Sequence, residues 1–143
     1  MGNAMNFQSH AVRVLGALAL LGCCGPSSIA AQPADAGAGR APSWGAIASV
    51  QGWHGYSFNY SSRDAAELAA RARCDRAAGR PGACVVLTYF DRSCGALAKG
   101  NYGEWGTAIA PTAAAAAKAA AVQCENHLPT EPCKVVVSVC SPG

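Results

Sequence analysis

Two stretches of this chain coincide when one is slid 50 positions along the other, and this internal repeat constrains the fold more than any other feature. Gly45-Ala46-Ile47-Ala48 falls on Gly95-Ala96-Leu97-Ala98, Ser62 on Thr112, Ala65-Ala66 on Ala115-Ala116, Ala69-Ala70 on Ala119-Ala120, and Cys74 on Cys124. Alanine matches are cheap in an alanine-rich chain, but a shared GAxA motif, helix-capping residue and cysteine in one gapless register are not. A repeat of this length marks a supersecondary unit that buries its apolar face against its neighbour. The chain therefore reads as two related units, residues 44–93 and 94–143, forming a single domain from 43 to 143.

Each unit has the same grammar. The segments Trp44 to Val50 and Gly55 to Tyr60 are joined by glycine-containing turns, as in a hairpin. Tyr56, Phe58 and Tyr60 alternate with Ser57 and Asn59, which is strand periodicity with one aromatic face. Ser61-Ser62-Arg63-Asp64 supplies a helix N-cap with Asp64 at the positive end of the dipole, and Pro111-Thr112 plays that part in the second unit. The first helix sets Ala65, Leu68, Ala69 and Ala72 on one stripe. The second repeats it with Ala115, Ala119 and Val122, with Lys118 in place of the leucine. Each unit closes with a β-branched run, Val85 to Phe90 and Val135 to Val139. The expected fold is α+β: a duplicated ββαβ unit with two helices on a largely antiparallel sheet.

Cysteine placement sharpens this. Of eight cysteines, six lie in the repeated region, and an even number in a small exported domain implies a disulfide framework. Cys74 and Cys84 bracket the helix-to-strand loop of the first unit, and Cys124 and Cys133 bracket the same loop of the second. Pairing them in this way leaves Cys94 with Cys140, on neighbouring antiparallel strands. A zinc site is the other use of such cysteines, but no C-x2-C pair is present.

The N-terminus reads as an address. Val14 to Gly22 is a short apolar run after Arg13, and it is too short for a bilayer that needs about 20 residues. Two cleavage readings remain open. Ile29-Ala30-Ala31 before Gln32 fits ordinary signal peptidase, giving a signal peptide over 1–31. Leu20-Leu21-Gly22-Cys23 fits a lipoprotein signal over 1–22, with Cys23 receiving the lipid. Residues 32–42 are a flexible linker in either case. The expected location is periplasmic or secreted, or the outer membrane as a lipoprotein, with membrane contact only through that lipid.

The ordered set Trp44-Gly45-Ala46-Ile47-Ala48, Tyr56-Ser57-Phe58-Asn59-Tyr60, Ser62-Arg63-Asp64-Ala65-Ala66 and Cys94-Gly95-Ala96-Leu97-Ala98 resembles domain-of-unknown-function family 4189, over about residues 43–141. The resemblance implies an exported or envelope-located bacterial domain. It transfers no catalytic residues.

Little in the chain points to chemistry. The net charge of +3 is too weak for a nucleic-acid footprint, and no phosphate loop, HExxH or nucleophile elbow is present. No cofactor is expected. The most informative cluster sits at the two hairpin tips, where the offset aligns Trp53-His54-Gly55 with Gly103-Glu104-Trp105. Tryptophans at turns either fold back over a small core or meet a ligand. Trp53, His54, Glu104 and Trp105 are therefore the candidate binding residues. Three functions follow as expectations. The foremost is a non-enzymatic envelope module that binds a secreted or envelope protein, such as an inhibitor or immunity protein against a toxin or wall hydrolase. The second is a structural or stress-related envelope component without a discrete ligand. The third is an enzyme acting on an envelope polymer through His54, Glu104 or Asp91, which requires acid and base to meet.

Overall fold

The computed structural model describes residues 39–142. The signal segment, Cys23 and most of the 32–42 linker lie outside the described residues. Element order is β1 (Trp44–Val50), β2 (Trp53–Tyr60), α1 (Arg63–Ala78), β3 (Val85–Asp91), β4 (Cys94–Lys99), β5 (Trp105–Ala110), α2 (Ala113–Glu125) and β6 (Lys134–Cys140). This is the ββαβ unit, twice. The strands form two separate three-stranded antiparallel sheets, one per unit, in the orders β2-β1-β3 and β5-β4-β6.

Alternation along the central strands explains the layering. Ala46 and Ala48 of β1 are fully buried against Ala66, Ala70 and Cys74 of α1, and Ala96 and Ala98 of β4 repeat this against Ala116, Ala120 and Cys124 of α2. The intervening residues, Ile47 and Leu97, point the other way and meet each other in a third cluster with Phe90 and Val137. The order of layers is thus helix, sheet, sheet, helix. Phe90 sits at the joint, its ring filling the space that a Cβ at either Gly45 or Gly95 would need.

Both helices start as the capping residues dictate. The Ser62 hydroxyl accepts from Ala65 N at 3.3 Å, and the Thr112 hydroxyl from Ala115 N at 3.2 Å. The buried face, however, lies one residue around from the expected stripe: Ala66, Ala70 and Cys74 face inward, while Leu68 is 64% exposed. The reason is proximity. A Cβ at Gly55 would collide with the backbone of Ala70 and Cys74, and one at Gly106 with that of Ala120 and Cys124. Helices lying this close to a strand tolerate only small side chains, alanine and half-cystine, on the contact face, so the leucine turns outward. Buried Ser57 adds a polar clasp, donating to Ala66 O at 2.7 Å and accepting from Ala46 N at 3.1 Å.

The aromatic face of β2 is likewise divided. Tyr56 and Phe58 are exposed, whereas Tyr60 packs with Trp44 around the helix-facing core. A bulge between the pairs Trp44↔Tyr60 and Ala46↔Ser57 shifts the alternation by one, with Asn59 at φ 60°.

The three disulfides are Cys74–Cys84, Cys124–Cys133 and Cys94–Cys140, as the repeat requires. In the first loop Asp75 receives Gly82 N and Cys84 N, both at 2.9 Å, and these backbone donors hold its carboxyl below the ordinary carboxylate range. Three disulfides in a domain this small are consistent with an extracellular or periplasmic location. No helix among the described residues is long and apolar enough to cross a membrane.

Candidate functional site

Both hairpin tips lie at the same end of the two-sheet stack, but their sequence alignment needs correcting by one residue. In the first unit Gln51 and Gly52, the latter at φ 77°, turn the chain so that Val50 pairs with Trp53 and Ser49 with His54. In the second unit Gly100 to Glu104 intervene, and Lys99 pairs with Trp105. Counted from the equivalent positions, four residues separate Ser49 from its partner His54 and five separate Lys99 from its partner Trp105, so the second turn is one residue longer. Trp105 takes the place of His54, and Gly106, not Trp105, takes the place of Gly55 under the helix. The β2 bulge, which β5 lacks, restores the offset before the helices begin.

Between the tips opens a cleft of about 510 Å³, with Val50 and Gly52 from the first turn, Leu87 from β3, and Lys99, Glu104 and Trp105 from the second unit on its walls. Two of the four expected residues, Glu104 and Trp105, line it. The other two act nearby. Trp53 presents its carbonyl, which accepts from Ser49 Oγ at 2.7 Å and from Lys99 Nζ at 3.1 Å. His54 is half-buried, and its Nδ1 is buried without a hydrogen-bond partner. Burial first, and then the charge of Lys99, push the His54 imidazole below its ordinary value and favour its neutral form. Trp53 and Trp105 are 51% and 45% exposed.

Lys99 is the participant that sequence reading missed. A lysine at the end of a strand looks like an ordinary solvated residue, and only the tertiary meeting of the two tips gives it a role. Burial lowers its ammonium below the usual lysine range. Among the described residues the ion pairs are Arg63–Glu67 and Arg92–Asp91, so no carboxylate compensates Lys99. Glu104 shares the cleft, but its carboxylate turns back to accept Tyr102 N at 2.8 Å and rests against Gly100. No hydrogen bond or ion pair joins His54 to Glu104 among the described residues. Asp91 stands at the opposite end of β1, where it accepts Ser43 N at 2.7 Å.

No group of three or more His, Cys, Asp or Glu among the described residues could hold a metal ion. The family model titled Domain of unknown function (DUF4189) matches residues 44–140. This chain belongs to the DUF4189 family. The match spans both ββαβ units from the first residue of β1 to the last of β6, so the repeated pair is the family's domain. No curated protein and no solved structure matches this DUF4189 chain.

Proposed function

We propose that this DUF4189 chain is an exported, non-enzymatic binding module of the cell envelope that grips a secreted or envelope protein in the cleft between its hairpin tips. In this reading the N-terminal segment sends the chain to the periplasm or beyond, by signal cleavage near Ala31 or by lipidation of Cys23. The observation that carries the reading is the cleft itself: a concave site of about 510 Å³ lined by an exposed tryptophan and by a lysine that has no carboxylate partner among the described residues. Exposed tryptophan beside a concave surface is the composition of a binding hot spot, and the volume lies within the usual range of about 300–1,000 Å³ for ligand sites. Disulfides and a close-packed helix fix both tips before binding, which lowers the ordering cost of association. An acid–base enzyme is the weaker reading, because no hydrogen bond or ion pair joins His54 to Glu104 among the described residues and Asp91 lies at the far end of the sheet. An inhibitor or immunity role against a toxin or wall hydrolase is the most specific form of the proposal.

The test is capture of a partner from secreted and envelope extracts by the oxidised full chain. The expected result is one stoichiometric protein, lost with Trp105→Ala and retained with Leu68→Ala, an exposed control on α1. Equal capture by both variants moves the binding surface elsewhere. Capture of nothing by the wild type leaves the structural role as the better account.

A further inference from the structure

The cleft has a chemical preference that its shape alone does not reveal. Lys99 enters from the last position of β4 and is half-buried. One of its three N–H donors is spent on Trp53 O. The remaining donors meet no carboxylate among the described residues, since Glu104 is turned into its own turn. Val50, Val85, Leu87 and Trp105 line the same cleft and make up its apolar wall. A partly desolvated ammonium without a counter-ion is costly to keep, and a carboxylate that displaces its remaining water would form a charge-assisted hydrogen bond. A doubly charged, strongly hydrated anion would strand its solvation shell against the apolar wall, whereas a single carboxylate next to a hydrocarbon group matches both halves of the site.

We propose that the cleft recognises a carboxylate borne beside a branched aliphatic or aromatic group, with Lys99 holding the carboxylate and Trp105 covering the apolar part. This rests on the partner-binding reading above and names the group that the partner inserts. The carboxylate is either a free chain end or an acidic side chain flanked by apolar residues.

Three probes separate these cases in ¹⁵N-resolved titrations of the oxidised full chain: N-acetyl-leucine, N-acetyl-leucinamide, and the blocked tripeptide acetyl-Leu-Glu-Leu-amide. The chain has three tryptophans, so three indole N–H signals report on Trp44, Trp53 and Trp105 separately. The expected result is a saturable shift of the Trp105 signal, with Trp44 unmoved, at least about tenfold tighter for one of the acids than for the amide. N-acetyl-leucine as the tighter acid identifies a free chain end, and the tripeptide identifies an internal acidic residue. Lys99→Gln should abolish the preference and Lys99→Arg should keep much of it. Equal affinity for acid and amide, no shift with any probe, or a preference that survives Lys99→Gln each overturns the proposal. The acid–amide comparison on the wild type stands even if Lys99→Gln folds poorly. If the carboxylate preference fails while partner capture is still lost with Trp105→Ala, the binding-module reading survives and only its chemistry falls.

Discussion

A single hydrogen atom decides whether the helices can sit where they do. Gly55 and Gly106 each lie beneath a helix backbone, so adding a methyl group forces backbone apart and not merely a side chain aside. Gly55→Ala and Gly106→Ala should each cost about 1–3 kcal/mol or more in urea unfolding. Leu68→Ala, at a position that periodicity alone assigns to the core, should stay within about 0.5 kcal/mol of wild type because the side chain is exposed. The contrast marks what could be read from this sequence. Alanines on every side of the helix leave the moment without direction, and the informative residues were the glycines on the strand opposite. His54 sets a second residue-scale expectation. Its folded value is depressed below the ordinary 6.5 by burial and by Lys99, so below that pH the unfolded chain takes up a proton that the native chain refuses. Stability should therefore fall as pH drops below about 6.5 towards the depressed folded value. Denaturation of wild type and His54→Gln across that range should show a shallower decline for the variant.

At the scale of elements, the disulfides do two different jobs. Cys74–Cys84 and Cys124–Cys133 close loops with sequence separations of 10 and 9, each tying the C-terminal part of a helix to the residue just before the following strand. Cys94–Cys140 spans a separation of 46 and joins the first residue of β4 to the last of β6. In the loop-entropy account, removing either short bridge with a double Cys→Ser change should cost about 3 kcal/mol, and removing the long one about 4 kcal/mol. Chemical denaturation of the three paired variants checks the order. The pairing was legible because Cys74 and Cys84 bracket the same helix-to-strand loop in the first unit that Cys124 and Cys133 bracket in the second, which leaves Cys94 for Cys140. The hairpin tips were less legible for the same reason inverted. A rigid offset cannot register a turn lengthened by one residue and a bulge that cancels it, so Trp105 was matched to Gly55 although it stands in the place of His54.

For the molecule as a whole, Phe90 is where the two units become one. Its buried ring lies between Gly45 and Gly95, in contact with both sheets. Phe90→Ala should cost about 3–5 kcal/mol. Thermal unfolding of the wild type should remain a single transition by both tryptophan fluorescence and circular dichroism, and separate transitions would show that the units melt independently. The four-layer stack could not be read from the strands alone, because alternation says that β1 has two apolar faces but not that the second face belongs to β4. The cleft was half visible: Glu104 and Trp105 were flagged, whereas Lys99 acquires meaning only once both tips converge. The end of the stack away from the cleft has its own consequence. The Ser43 and Ser141 hydroxyls lie 3.1 Å apart, and Ser141 also receives Asn59 N at 2.8 Å. The domain's two ends thus leave side by side, about seven strand residues or roughly 23 Å from the tips. A polypeptide built this way behaves like a bulb on a stem. It can be spliced into a loop of another protein, or reopened elsewhere in its sequence with the old ends joined, while still presenting the same face outward.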